Sequence, residues 1–311
     1  MWYAAAGCGD SDGHCRAVAS TDNEGERKAE GGIKEMVRNS QSKKAVSNKA
    51  SAYDKAQASC IRALSQKDFA DAFAHCVRQL MEFDNLIIIA YHKDHNPVSF
   101  YRECRDPVVY QTMDSHYLKA AYLLDPYYHA HRQGLQRGAH RLFDLAPDQF
   151  RQTSYFQEYY QRTTLVDEIT VFAPLSAETT INACFGRDRS SDLQFSKQDF
   201  AAIKAHEQTL SSLLQMHWKD YSPGSQGDIT LAPVTERLRE ALQEQQNISL
   251  SPRQAEVAMY ILQGHSSLSI SLNLDISRET VKVFRRQLYS KCNISSQAEL
   301  FALLMPIFSG L

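Results

Sequence analysis

The 311-residue chain has 43% hydrophobic and 23% charged residues, which is typical of a soluble globular protein with room for about two domains. Its formal net charge of −2 excludes a protein that is basic throughout, so any affinity for nucleic acid must come from a local patch. No apolar run reaches the roughly 18–20 residues that a membrane span needs, and residues 1–14 lack the pattern of a secretory signal.

The cysteines favour a reducing compartment. The chain has 7 of them, which is an odd number, and they are widely spaced without a CxxC pair. Such a pattern favours reduced thiols over a disulfide framework or a zinc site. The sequence therefore predicts a cytoplasmic protein with no metal and no cofactor.

Residues 1–59 are predicted to be a disordered N-terminal segment. Large aliphatic side chains are almost absent there, and Gly, Ser, Asn, Lys and Glu dominate. Such a segment cannot bury enough apolar area to offset the entropy lost when its backbone is ordered. The alternative, that part of this segment does not belong to the mature protein, stays open.

Residues 60–218 are predicted to be an α+β domain. Apolar residues at helical spacing over 67–83 precede a buried strand over 85–91, and Pro97 separates this strand from a second extended run. A Tyr-rich helical middle spans about 114–162, and two further strands, "EITVFAPL" and "TTINACFG", precede a closing helix capped by Ser196. This order favours an antiparallel sheet in a sensor-like sandwich, similar to GAF and PAS domains.

Residues 219–233, "KDYSPGSQGDITLAP", have the Gly, Ser and Pro content of a linker, and a small all-α domain is predicted over 234–311. Ser251 and Pro252 start a helix that Gly264 ends. The short helix "SLSISLNL" follows, with Leu268, Ile270, Leu272 and Leu274 as its apolar positions. Ser277 then caps a further helix after a tight turn. Two short helices joined in this way form a helix-turn-helix, whose second helix enters the DNA major groove.

The second helix is basic on its outward side. Over residues 250–291, 6 basic residues stand against 3 acidic ones, a net charge of +3 that a dimer doubles. A solvated amphipathic helix would have the same charge pattern, but the surrounding caps, turn and helix spacing favour DNA binding. We expect Val281, Leu288 and Phe284 to face inward.

Residues 250 to about 303 resemble the LuxR-type, or GerE-type, helix-turn-helix. The matching positions are "LSPRQAEV", Gly264, Ile270, "ISRETVK", Arg285, Arg286, Lys291 and "AEL". The resemblance implies a transcription regulator in which Thr280 and Lys282 contact double-stranded DNA. It also implies a homodimer, with RNA polymerase as a further partner. The candidate DNA-binding residues are Ser277, Arg278, Glu279, Thr280, Lys282, Arg285, Arg286 and Lys291.

The resemblance extends to the last helix, about 297–308, which corresponds to the dimerisation helix of the family. Its apolar positions, suited to such a contact, are Leu300, Leu303, Leu304 and Ile307. One departure is Asp275, which stands where the family usually has Gly in the turn. A residue with a side chain must then adopt a positive φ.

Part of the sensor domain is similar to the acyl-homoserine-lactone receptors. Tyr117, Tyr122, Asp125 and Pro126 match their Tyr…Tyr…Asp-Pro pattern, in which the carboxylate accepts the ligand amide N–H. The preceding Trp of that family is absent, and the spacing from Tyr117 to Asp125 is one residue short. The routine alternative is that Asp125 caps a helix with Pro126 at its first position, and we expect this role first.

A second aromatic stretch, "SYFQEYYQR", pairs Tyr155 with Tyr159 at i and i+4. Such a stripe is ordinarily core, but ligand pockets are also apolar with a few tyrosine hydroxyls. The candidate ligand-binding residues are Tyr117, Tyr122, Asp125, Tyr155 and Tyr159. His129 and His131 face apart on a helix, so no metal site is predicted there.

The sequence therefore predicts a DNA-binding transcription regulator that recognises a two-fold operator and is controlled by a small-molecule effector or partner at the sensor domain. The alternatives are the same regulator with a ligand-free protein-interaction domain, or an acyl-homoserine-lactone receptor. An enzyme is not predicted, because no GxSxG, HExxH, Walker or GxGxxG pattern is present. Asp167 and Glu168 are adjacent carboxylates, but neighbours on a strand face opposite sides.

Overall fold

The computed structural model describes residues 51–135, 137–223 and 234–310. The predicted disordered segment over 1–50 and most of the predicted linker, residues 224–233, lie outside the described residues. The same holds for the side chains of residues 158, 159, 161, 309 and 310.

The N-terminal boundary differs from the prediction, because residues 51–62 form a helix, α1, although the disordered segment was expected to reach residue 59. Tyr53, Ala56 and Cys60 are buried on one side of α1. They recur at i, i+3 and i+7, which is a helical stripe. Ala, Cys and Tyr supply this stripe, so the lack of large aliphatic residues concealed it.

A five-stranded antiparallel sheet forms the centre of the sensor domain, in the order β2-β1-β5-β4-β3. The strands are β1 (Asn85–His92), β2 (Val98–Cys104), β3 (Gly138–Arg141), β4 (Leu165–Pro174) and β5 (Thr179–Asp188). The central strands β1 and β5 are buried along their whole length, and the edge strand β2 is half-exposed. The predicted α+β class is confirmed.

The two faces of the sheet carry different layers. Leu86, Ile88 and Ala90 share a core with α1, α2 (Phe69–Arg78) and α5 (Lys197–His217). Ile87, Ile89 and Tyr91 point the other way, into a Tyr-rich layer of short helical segments between residues 107 and 163. This layer includes α3 (Pro126–Arg132) and α4 (Leu142–Leu145), and the side chains that it shares with the sheet enclose a pocket.

The C-terminal part is all-helical, as predicted. Its helices are α6 (Val234–Gln246), α7 (Pro252–Gln263), α8 (Ser267–Leu274), α9 (Arg278–Cys292) and α10 (Gln297–Gly310). The predicted caps form: the Ser251 hydroxyl accepts from the Gln254 N–H at 3.2 Å, and the Ser277 hydroxyl accepts from the Thr280 N–H at 3.0 Å. No helix in these described ranges is both long and apolar enough to cross a bilayer.

The turn between α8 and α9 forms without glycine. Asp275 has φ 52° and ψ 50°, the left-handed conformation that its short polar side chain tolerates. Only half of the apolar positions predicted in α8 are in the core, because Ile270 and Leu274 are buried whereas Leu268 and Leu272 are 56% and 76% exposed. The two leucines lie one turn apart on the opposite side of α8.

Three of the four residues predicted to mediate dimerisation are in the core of their own chain. Leu300, Leu304 and Ile307 are buried in a cluster shared with α6 and α7, and only Leu303 is half-exposed. The spacing of 300, 304 and 307 is the inward stripe of an amphipathic helix. The assignment of Leu300, Leu304 and Ile307 to a dimer contact is therefore wrong, because these side chains stabilise the domain itself.

The sensor domain contacts the C-terminal part at the end of α7. The Gln149 N–H donates to the Gly264 carbonyl at 2.8 Å, and the Ser266 N–H donates to Asp148 Oδ1 at 3.0 Å. Gly264 has φ 95°, and a Cβ at this position would lie 2.7 Å from the Phe150 Cα. Only glycine fits here, because both the backbone conformation and the close approach of Phe150 exclude a side chain.

Candidate functional site

The outer surface of α9 carries the candidate DNA-binding residues. Thr280 and Arg285 are half-buried, and the exposed members are Ser277, Arg278, Glu279, Lys282, Arg286 and Lys291. Val281 and Leu288 are fully buried on the opposite side, and Phe284 is half-buried. Val281 and Leu288 therefore pack α9 against its domain, and the basic face of the helix is in solvent.

The basic side chains differ in their local partners. Lys291 Nζ donates to the Ser249 carbonyl at 2.7 Å and to Gln254 Oε1 at 2.9 Å, which joins the end of α9 to the start of α7. Arg285 Nη2 donates to the Tyr289 hydroxyl at 3.2 Å. The ion pair of Lys282 with Glu279 is long at 3.9 Å and exposed, so it holds the lysine weakly. The chain's own contacts thus engage Lys291 most strongly.

A pocket of about 50 Å³ lies between the sheet and the Tyr-rich layer. Its walls include two carboxyl groups, those of Asp125 and Glu168, and the rings of Tyr91, Tyr110, Tyr117, Tyr127, Tyr155 and Tyr160. We call this the tyrosine pocket. Of the candidate ligand-binding residues, Tyr117, Asp125 and Tyr155 line it. Tyr122 is not among its described walls and donates to Asn96 Oδ1 at 3.0 Å, and the side chain of Tyr159 lies outside what the structure describes.

Asp125 is both a helix cap and part of the pocket wall. Its Oδ1 accepts from the Tyr127 N–H at 2.8 Å, so the predicted cap of α3 is confirmed. The Tyr117 hydroxyl donates to Oδ2 and lies 2.6 Å from the Tyr91 hydroxyl. Burial raises the pKa of Asp125 to about 6, and these hydrogen bonds oppose the rise.

Glu168 lines the pocket although it was not among the predicted ligand-binding residues, and the same is true of Tyr91, Tyr110, Tyr127 and Tyr160. The two neighbours on β4 point to opposite sides, as strand alternation predicts. Asp167 accepts from the Phe195 N–H at 3.0 Å and pairs with Arg141 at 3.7 Å, whereas Glu168 lines the pocket. Burial raises the pKa of Glu168 to about 8, and the charges of Asp125 and Asp167 add to the rise. The sequence contained one sign of this role: Glu168 is a charged residue on the same strand face as Phe172, in a strand that is otherwise mostly apolar.

Replacing Glu168 with Gln is expected to make the protein more stable at high pH. The folded-state pKa of about 8 exceeds the ordinary value of 4.5, so the stability tied to the neutral carboxyl is complete below pH 4.5 and is lost as pH rises through 8. Between pH 6 and pH 9 the advantage of Glu168→Gln over the parent should grow by about 2–3 kcal/mol. Urea unfolding at both pH values measures this difference, and a constant difference would contradict the prediction.

The histidines 129 and 131 do not converge. His129 Nε2 contacts the Leu123 carbonyl at 2.8 Å, whereas His131 Nδ1 contacts the Thr180 hydroxyl at 2.9 Å. Burial lowers the pKa of both to about 4, so both rings are neutral near pH 7. Both histidines belong to the packed Tyr-rich layer. His129 joins α3 to the backbone at Leu123, and His131 joins α3 to Thr180 on β5.

Comparisons with known proteins agree with the helical arrangement of the C-terminal part. Residues 248–304 match the family model of bacterial regulatory proteins, luxR family. A proposed HTH-type transcriptional regulator in the exeN 3′ region of Aeromonas salmonicida is 28% identical over 186 residues, which are 58% of this chain and 93% of that protein.

Two solved structures are similar at lower identity. The VqsR LBD domain from Pseudomonas aeruginosa has a TM-score of 0.46 at 20% identity, over 55% of this chain and 99% of that one. Escherichia coli SdiA has a TM-score of 0.35 at 16% identity, over 82% of this chain and 97% of that one. The family match falls on the helices that form the capped helix-turn-helix described above. Residues 248–304 of this chain are a helix-turn-helix domain of the LuxR family of bacterial regulatory proteins.

Proposed function

We propose that the protein is a transcription regulator that binds double-stranded DNA through α9 and responds to a small molecule in its sensor domain. Residues 60–218 would form the signal domain and residues 234–311 the DNA-binding domain. The observation that carries the DNA-binding part is the exposed basic face of α9, seated by the buried Val281 and Leu288 within a LuxR-family domain. As a homodimer, the protein would bring two copies of α9 to the half-sites of a two-fold operator.

The residues along α9 have different proposed roles. Arg278, Glu279, Thr280 and Lys282 are near its N-terminus, which is the end that reads base edges in a helix-turn-helix. Ser277 holds this end in shape as the cap. Further along the helix, the cations of Arg285 and Arg286 suit phosphates. Lys291 joins α9 to α7 through Ser249 and Gln254, so its main role is to hold the helix in position.

Lys282→Ala and Arg286→Ala are each expected to weaken DNA binding by roughly 10- to 100-fold, because each removes a contact worth about 1–3 kcal/mol. The loss of a phosphate contact should also reduce the salt slope of binding by about 1. A gel-shift titration against a selected DNA site at several salt concentrations measures both effects.

Arg253→Ala is the matched control, because Arg253 is an exposed arginine on α7 that pairs with Glu256 at 2.8 Å. It removes the same charge from the same domain, but from α7 rather than from α9. Equal losses for Arg253→Ala and Arg286→Ala would assign the effect to overall charge and overturn the proposed role of α9.

Two other readings of the sensor domain remain as alternatives. A ligand-free protein-interaction domain is favoured by the pocket volume, because 50 Å³ is well below the roughly 150 Å³ of a cavity that binds benzene. An acyl-homoserine-lactone receptor is favoured by Asp125 beside Tyr117, because each carboxylate oxygen accepts one hydrogen bond and has a further lone pair. Thermal unfolding with N-acyl homoserine lactones tests these readings, since a bound ligand raises the melting temperature.

A further inference from the structure

We propose that the tyrosine pocket binds a small organic ammonium ion, whose positive charge pairs with Asp125 and Glu168 inside a ring of tyrosines. This inference rests on the proposed function, because it names the class of ligand that the signal domain takes. Three separate observations carry it: the acidic groups without a basic partner, a buried hydroxyl without a partner and the aromatic walls.

The acidic groups of the pocket have no basic partner among its described walls. Asp125 and Glu168 both line it, and its described walls contain no Lys, Arg or His. Buried charges are ordinarily paired, because desolvation without a partner is costly. Burial raises the pKa of both carboxyls, and no cation opposes the rise at either group. A cationic ligand would supply the missing counter-charge.

Tyr127 carries a buried hydroxyl without a partner among the described residues. Its side chain is 2% exposed and lines the pocket. Almost all buried polar atoms in folded proteins have a partner, so an unpartnered hydroxyl on a residue of the pocket wall is a candidate contact for a ligand. A phenol oxygen accepts the N–H of an ammonium ion.

The aromatic walls favour a cation over the other ligand classes. Six tyrosines line the pocket, and the faces of aromatic rings attract cations, more strongly when water is excluded. A carboxylate ligand would meet two acidic groups and no base. A neutral amide or alcohol would not stabilise the ionised form of either carboxyl group, whereas a cation would.

The size of the pocket limits the ligand. A volume of 50 Å³ suits a head group of a few heavy atoms rather than a long acyl chain. The ligand then inserts its ammonium group, and the rest of its alkyl chain lies outside the pocket.

The test compares probes of one chain length and three charges on the full chain: n-butylammonium chloride, 1-butanol and sodium butyrate, with N-butanoyl homoserine lactone as a fourth probe. Melting temperature and calorimetric titration give the readouts, at ionic strength matched with sodium chloride. We expect only butylammonium to raise the melting temperature. Its affinity should fall at least 10-fold in Glu168→Gln, which keeps the shape of the side chain but cannot carry the negative charge.

Glu178→Gln is the matched control, because it removes one negative charge from the exposed connection between β4 and β5, where Glu178 pairs with Lys93 at 3.4 Å. Butylammonium should bind this variant like the parent. Equal binding of butanol and butylammonium, unchanged affinity in Glu168→Gln, or no binding of butylammonium would each overturn the inference. A response to the lactone alone would overturn it while supporting a small-molecule sensor, and the gel shift with Lys282→Ala tests the DNA-binding function separately.

Discussion

Gly264→Ala is expected to lower the free energy of unfolding by about 2–5 kcal/mol, which would be a large share of the stability of a typical protein. The left-handed backbone conformation costs alanine about 1–2 kcal/mol of stability, and overpacking costs about 1–3 kcal/mol more. The overpacking arises because the new Cβ would lie 2.7 Å from the Phe150 Cα and 2.8 Å from its backbone nitrogen. Backbone atoms cannot rotate away as a side chain can, so the contact between the sensor domain and α7 must open.

Gly134→Ala separates the two causes. Gly134 also has a positive φ, 76°, but a Cβ there would meet no atom within 4 Å. This variant should lose only the roughly 1–2 kcal/mol of stability that the left-handed backbone conformation costs alanine. Urea unfolding followed by circular dichroism measures both variants, and equal losses would contradict the close approach of Phe150 to Gly264.

Leu304→Ala is expected to cost about 2–5 kcal/mol of stability, because it leaves a cavity in a fully buried position of α10. The neighbouring Leu303→Ala removes the same atoms from a half-exposed position and should cost less than about 1.5 kcal/mol, because less apolar area returns to water. Chemical unfolding of both variants measures the difference. If Leu304→Ala keeps the parental stability and only weakens self-association, α10 is a dimer contact after all.

The elements that local signals encode were predictable from the sequence. Ser277 is a strong cap at a position where an apolar period of 3.6 begins, so the start of α9 follows from its neighbours in the chain. The strands β1 and β4 follow from short apolar runs bounded by turns. Even the turn at Asp275 could be anticipated, because only a few residue types adopt its backbone conformation.

The features that depend on long-range packing were not predictable in this way. Strand alternation predicts that Asp167 and Glu168 face apart, but which of them meets the pocket depends on the layer that packs on each face of the sheet. The apolar stripe of α10 fits a dimer contact and a domain core equally well, and only its packing on α6 and α7 decides between them. The helix α1 was hidden because its buried residues, Tyr53, Ala56 and Cys60, are not large aliphatic side chains.

Phe150 belongs to two environments. Its ring lines the tyrosine pocket, and its backbone abuts Gly264 at the end of α7. A ligand that displaces this ring and a DNA site that shifts α7 would therefore act on one shared contact. Thermodynamic linkage then makes the effect mutual: if the ligand changes the affinity for DNA by some factor, DNA changes the affinity for the ligand by the same factor. The strength of the coupling can thus be measured from the ligand side alone, by titrating the pocket with and without an operator fragment.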